Sequence, residues 1–233
     1  NVQKSGNTHT PAGLTDILVK ECELKFKIET AAREVFARHG YHVVQPPMFE
    51  YYDVYDAAVT KAENMFKFFD NNGRMLALRP DLTTSVARIA ATKPLGELPY
   101  RIAYSGSAFR NDETFSNDRR REFSQAGIEL IGNSGTDADA EVIEIAIEAL
   151  LKFGVKDFQI DMGHADYYKG LAEIAGLDPI VSDKLRANIN DKDFVAIEGI
   201  LDGIDIDEKL KEVFMELPKM FGGIETAVAA AKK

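Results

Sequence analysis

The chain is poor in cysteine, in uninterrupted apolar stretches and in positive charge, and each shortage closes off a class of function. Its 233 residues include one cysteine, Cys22, which has no partner for an internal disulfide. No Cys/His grouping has the spacing of a structural zinc site, so no metal is expected, and a reducing, cytoplasmic setting is. No run approaches the roughly 18 apolar residues of a membrane span, and the opening Asn1-Val2-Gln3-Lys4 lacks the apolar stretch of a signal peptide. Membrane association is therefore not expected, and the absence of an initial Met reads as trimming. Lys and Arg number 28 against 38 Asp and Glu, a formal charge of −10. That balance disfavours polyanions, so nucleic acid is not an expected partner, although a local basic patch can still hold phosphate. Gly-rich phosphate loops are absent too: Gly132-Asn133-Ser134-Gly135 reads only as a turn, which removes support for kinase and dehydrogenase readings. His9, His39, His42 and His164 are scattered, with no metal-ligand spacing and no triad partner.

What remains is an ordinary globular composition, 45% apolar and 28% charged, at a length that can bury a core without staples. The pattern changes near residue 163, giving an expected core over 1–163 and a helical segment or insertion over 164–233. In the core, Leu24, Ile28, Ala31, Ala32 and Val35 recur at helical spacing within 16–39, with Gly40 placed to end the helix. A strand is expected over 41–45, running into the rigid Pro46-Pro47 corner. Asn72-Gly73 between apolar runs marks a hairpin over 65–79, and the aromatics Phe66, Phe68 and Phe69 read as core filling. A helix follows from about Asp81–Thr84 to Lys93-Pro94. Strands over 100–110 and 121–131 form a second hairpin with a polar ten-residue connection, longer than usual and so a candidate for function. A further helix opens at Thr136-Asp137-Ala138-Asp139, with Ala140, Ile143, Ile147, Leu150 and Leu151 as its expected buried stripe, and a strand is expected over 155–161. Grouped hairpins and helices, instead of alternating βαβ units, indicate an α+β fold with a mainly antiparallel sheet flanked by helices.

The second hairpin carries the most chemistry. Strand side chains alternate, so Arg121, Phe123, Gln125, Gly127 and Glu129 share one face, while Ser124, Ala126, Ile128 and Leu130 form a plain core face. Gln125 and Glu129 flank Gly127, and Ile102, Tyr104, Gly106 and Ala108 precede Arg110 on the neighbouring strand. The small residues leave expected room for a polar ligand above the sheet, with Arg110 at its rim. Arg119, Arg120 and Arg121 in the connection offer donors to a carboxylate or phosphate, or else a solvated mixed-charge turn. Asp81 and Thr83 add a carboxylate and a hydroxyl at a strand-to-helix junction, where simple helix capping is the plainer role for Asp81.

Phe109-Arg110-Asn111-Asp112-Glu113 and the run Arg119-Arg120-Arg121-Glu122-Phe123-Ser124-Gln125-Ala126-Gly127-Ile128-Glu129-Leu130-Ile131-Gly132 resemble motif 2 of the class II histidyl-tRNA synthetase group. The group's N-terminal pattern is echoed at Thr10-Pro11-Ala12-Gly13-Leu14-Thr15-Asp16, its motif 1 from Gly40-Tyr41 to Glu50, and its Arg-Pro-Glu-x-Thr signature at Arg79-Pro80-Asp81-Leu82-Thr83. These span about residues 8–165 in order. Asp in place of Glu at 81, Tyr104-Ser105-Gly106, the run 121–127, Tyr167-Tyr168-Lys169-Gly170 and a connection without the proline of many synthetases are similar to the non-aminoacylating branch. That branch is the regulatory subunit of short-form ATP phosphoribosyltransferase.

The resemblance implies a class II synthetase-like fold and a pocket for histidine. In it, Asp81, Thr83 and Gln125 surround the ammonium, Glu129 faces the imidazole, and Arg110 and Arg119 hold the carboxylate or a phosphate. It further implies a non-catalytic subunit, without cofactor or metal. The expected partners are the catalytic short-form ATP phosphoribosyltransferase and a second copy in a homodimer, whose contact would lie near 16–39 and 41–45. The expected role is to confer activity and histidine feedback in the first step of histidine biosynthesis. The alternative is a histidyl-tRNA synthetase catalytic-core fragment that stops before the group's second histidine-binding segment and motif 3 arginine.

Overall fold

In the computed structural model, described at residues 10–55, 64–111, 120–163, 165–220, 222–223 and 225, the first helix is α1 (Val19–Arg38). It ends where Gly40 takes φ +78°, a conformation that disfavours any side chain, and where the Tyr41 N–H reaches back to the Phe36 carbonyl. Strand β1 (His42–Val43) is shorter than the expected 41–45. Strands β2 (Phe49–Tyr51), β3 (Lys67–Phe69) and β4 (Met75–Leu78) form an antiparallel sheet in the order β2-β4-β3. The β3–β4 hairpin turns at Asn72-Gly73 as expected, with Gly73 at φ +76°. There the Asp70 carboxylate accepts hydrogen bonds from the Asn72 and Arg74 N–H groups, each at 2.9 Å.

Helix α2 (Thr83–Thr92) leads to the long hairpin of β5 (Tyr100–Phe109) and β6 (Glu122–Ile131). The two strands are antiparallel and pair from Tyr100↔Ile131 to Phe109↔Glu122, while β1 joins the free side of β5 in parallel. Helix α3 (Thr136–Lys152) completes this part. The α+β expectation holds: both sheets are built mainly from antiparallel pairs and carry helices on their faces.

The β5–β6 ribbon separates two cores. On its back, Ala103 joins Ala32, Val35 and Phe36 of α1 and Ile145 and Ala149 of α3, with Ile128 and Leu130 packed against them. On its front, Ile102, Tyr104 and Ala108 meet Leu82 and Val86 at the start of α2. α2 is held from its other side by the second sheet. Arg88 donates twice to Glu50 Oε1 of β2, at 2.9 and 2.6 Å, and the Tyr55 hydroxyl lies 3.2 Å from Ser85 Oγ. Burial drives the Tyr55 phenol up to about 12, so it stays a neutral hydrogen-bonding group at ordinary pH.

Four expectations are corrected. Residues 155–161 form no strand; Val155 and Ile160 are exposed, and a short segment not paired to a neighbouring strand is not stable as β-structure. Phe68 and Phe69 do not fill the core: they lie on an outer strand and are exposed, Phe69 at 66%, with Phe68 packing edge-on against Phe49. Helix α3 buries Ala138, Ile145 and Ala149 instead of the expected stripe, leaving Ala140 and Leu151 exposed, because the small alanines permit close approach of a neighbouring surface. Finally, only part of the even face of β6 is core, since Ser124 and Ala126 are exposed.

The chain divides into compact units at Asn1–Phe158 and Gln159–Lys233. The second unit contains α4 (Ala165–Ile174), α5 (Pro179–Asp191), α6 (Phe194–Asp202) and α7 (Glu208–Glu216). Asp178, Asp193 and Asp207 cap the last three, each carboxylate accepting a backbone N–H from the first turn, which satisfies donors a helix start otherwise leaves open. Its own core gathers Leu185, Ile189, Ile197, Leu201 and Phe214. Among the described residues, no helix is long and apolar enough to cross a membrane.

Candidate functional site

Register places Tyr104 directly opposite Gly127, Gly106 opposite Gln125 and Ile102 opposite Glu129. All therefore share the front face beneath the start of α2. Leu82 and Val86 anchor the start of α2 there, and with it come Asp81 from the preceding turn and Thr83, the first residue of the helix.

Four of the six expected site residues converge. Gln125 Oε1 accepts the Leu82 N–H at 3.0 Å, so this amide caps α2 from across the fold and leaves its NH₂ group for a ligand. Asp81 Oδ1 accepts the Thr84 N–H at 3.0 Å; the capping role is real and occupies one oxygen, leaving the other. Thr83 Oγ1 lies 3.2 Å from the Tyr104 hydroxyl, and Tyr104 donates to Glu129 Oε1 at 3.1 Å. Arg110, the fifth, is exposed at the end of β5 with its guanidinium 5.0 Å from the Phe123 ring centre. This cation–π contact keeps it over the front-face rim. Arg119, the sixth, lies outside the described residues.

The two described arginines of the connection contact different partners. Arg120 turns away to α1 and pairs with Glu21 at 2.9 Å, whereas the Arg121 guanidinium lies 5.6 Å from the Phe66 ring centre. Among the described residues no group of acidic, histidine and cysteine side chains is arranged to hold a metal.

Two side chains that sequence reasoning passed over organise the site, and both occupy space that the glycines were expected to leave open. A Cβ added at Gly127 would fall 2.5 Å from Tyr104 Oη, and one at Gly106 would fall 2.6 Å from Arg79 Nη2. The expected room directly above the two glycines is thus filled by a phenol and a guanidinium. Arg79 is buried, with Nε donating to the Ser107 carbonyl at 2.6 Å and Nη1 to the Pro46 and Pro47 carbonyls at 2.8 and 3.2 Å. Burial pushes its pKa down from the ordinary guanidinium value. Its bonds tie β5 and the Pro46-Pro47 corner to the segment that carries Asp81. Burial also drives Tyr104 up to about 12, so it remains a donor at any physiological pH. Tyr104 was in fact on the face predicted by alternation; its position opposite a glycine was the available signal.

Comparison with known proteins places the chain as a whole. Residues 13–233 match the family described as Histidyl-tRNA synthetase. An ATP phosphoribosyltransferase regulatory subunit from Acetivibrio thermocellus is 44% identical over 220 residues, 93% of this chain and 52% of the relative. A protein of the same name from Clostridium acetobutylicum is 41% identical over 222 residues, 93% of this chain and 54% of the relative. The chain thus spans about half the length of the curated relatives it matches. Among solved structures, an ATP phosphoribosyltransferase regulatory subunit/histidyl-tRNA synthetase from Bacillus halodurans C superposes with a TM-score of 0.88 at 28% identity, covering 97% of this chain and 59% of that one. Apo S. aureus histidyl-tRNA synthetase gives 0.54 at 28% identity, over 64% of this chain and 40% of that one.

Proposed function

The chain belongs to the histidyl-tRNA synthetase family, and from that premise we propose that it is part of a non-catalytic regulatory subunit of short-form ATP phosphoribosyltransferase, carrying a pocket for histidine. The relatives' names support the regulatory branch. The observation that carries the ligand reading is the gathering of Asp81, Thr83, Gln125 and Glu129 at one edge of the front face. The free oxygen of Asp81 and the Thr83 hydroxyl suit an ammonium, and Glu129 suits a ring N–H. The Gln125 NH₂ and the Arg110 guanidinium, as donors, suit a carboxylate. For Gln125 this reverses the role that family resemblance implies, since its oxygen is already bonded to Leu82. Asp81 has its own oxygen tied to the α2 backbone and is one methylene shorter than the Glu of the family signature. That combination favours holding a ligand over aligning one for activation.

In this reading the protein works in the cytoplasm as a homodimer, pairs with the catalytic subunit and passes histidine occupancy to it. A differential affinity of ~1–3 kcal/mol between assembly states shifts their balance by roughly 5- to 150-fold. The test is reconstitution with a short-form catalytic subunit, measuring turnover of ATP and phosphoribosyl pyrophosphate. Addition of the protein raises turnover, and L-histidine then lowers it. Histidine-dependent exchange of pyrophosphate into ATP by the protein alone would assign it to the synthetase branch instead.

A further inference from the structure

The front-face hydrogen bonds have a direction that follows from proton count. A tyrosine hydroxyl has one proton, and that of Tyr104 goes to Glu129 Oε1. The 3.2 Å contact between Tyr104 and Thr83 must then be donated by Thr83 Oγ1. The string runs Thr83 to Tyr104 to Glu129, and each hydroxyl proton is spent inside the protein. What Thr83 turns outward is lone pairs. Glu129 keeps Oε2, and Asp81 keeps the oxygen not bonded to Thr84.

We propose that Tyr104 is the positioning residue that gives this pocket its polarity. By taking the Thr83 proton and giving its own to Glu129, it makes Thr83 and Glu129 acceptors on either side of its own hydroxyl, so that the pocket selects an amino acid bearing N–H donors at both its ammonium and its side chain. The inference rests on the histidine-pocket reading and adds the residue that enforces its selectivity. Geometry supports a dedicated seat for the phenol. Tyr104 is 5% exposed, and Gly127 provides the clearance, since any Cβ there would meet the Tyr104 oxygen and the carbon that bears it at 2.5 and 2.7 Å. Without the phenolic oxygen, Glu129 loses its fixed donor and rotates, and the Thr83 proton is released toward the ligand, where it opposes an ammonium.

The experiment is calorimetric titration of the purified protein and its Tyr104→Phe variant with L-histidine and with L-phenylalanine, which shares the backbone groups but has no ring N–H. Thermal unfolding is followed in parallel. Wild type prefers histidine. Tyr104→Phe, which retains the ring over Gly127, narrows that preference by about tenfold to a hundredfold, the range for a hydrogen bond to a charged group. Gly127→Ala, which forces the phenol off its seat, narrows it in the same direction even if Tyr104→Phe unfolds. A general loosening would weaken both ligands alike, so the ratio is the diagnostic quantity. If wild type discriminates and folded variants keep the wild-type ratio, the inference is overturned and the histidine pocket stands. If wild type shows no binding of histidine, both are overturned.

Discussion

The two faces of the β5–β6 ribbon use small residues for opposite ends. On the front, Gly106 and Gly127 admit Arg79 and Tyr104 from neighbouring positions, so a gap in the strand becomes a seat for a polar group. On the back, Ser105, Ser124 and Ala126 admit nothing. They floor an apolar groove of about 630 Å³ between α1 and α3, with Leu24, Ile28 and Val142 on its walls. Toward the other end of that face Val35, Phe36, Ile145 and Ala149 pack on Ala103, and Phe36, Ile145 and Ala149 also form the inner wall of the groove. The front face is thus organised largely by directed hydrogen bonds, whereas the back is held mainly by packing, with a polar clamp at its rim. Substitutions on the two faces should accordingly fail in different ways.

The largest effect is expected at the packed end of the back face. Ile145 is fully buried, and Ile145→Ala should cost ~2–5 kcal/mol through lost transfer energy and a residual cavity, read by urea denaturation. Leu24→Ala, along α1 but 57% exposed in the groove, should cost under ~1 kcal/mol, as surface substitutions do. Equal costs at both positions would mean that the groove is filled in solution and that the contrast within the back face is wrong.

A middle effect belongs to the front. Gln125→Leu removes the acceptor of the Leu82 N–H and leaves that donor unpaired at the start of α2, a cost of ~1–3 kcal/mol. Amide hydrogen exchange should accelerate through the first turn of α2 while α3 keeps its protection. Uniform acceleration across both helices would show that the faces are not energetically separate.

These contrasts explain what could be read in advance. Both hairpins were legible because alternation and Asn72-Gly73 are local signals; the two-residue period placed Gln125 and Glu129 on the right face, while Asp81 and Thr83 were read from the strand-to-helix junction and the family signature. Tyr104 and Arg79 escaped because what fills the space above a glycine is decided by cross-strand register and by a side chain from the next segment. The α3 stripe was misjudged for a related reason. Helical spacing picked Ala140 and Leu151, whereas the packed face is centred on Ala138, Ile145 and Ala149. The strand expected over 155–161 rested on apolar residues at 155, 158 and 160, but a strand also needs a partner, and its own residues do not encode whether one is present.

The smallest effect concerns the rim of the packed end, where a polar clamp borders the buried residues. Arg101 of β5 donates to both oxygens of Glu141 on α3, at 3.1 and 2.8 Å, and the Tyr41 hydroxyl donates to Oε1 at 3.0 Å. The Arg101 hydrogen bond holds the Glu141 carboxyl below its ordinary range, with Tyr41 adding to it against a desolvation cost. A carboxyl lowered in the fold contributes stability above its unfolded value of about 4.3 and loses it as pH falls through the folded value. Tyr41 has the opposite sign. Burial first, and then the Glu141 bond, raise it from 10.0 to about 12, so its contribution is complete below pH 10 and fades between 10 and 12. Wild type should therefore lose stability at both edges of this window. Arg101→Met should flatten the acid limb by ~0.2–1 kcal/mol, the range of a partly exposed pair, while leaving alkaline loss in place because burial is the leading cause there. Denaturation midpoints at pH 3, 4, 7, 10 and 11.5 read both limbs. An acid limb unchanged in Arg101→Met would mean that the clamp contributes nothing and that the back face is held by packing up to its edge.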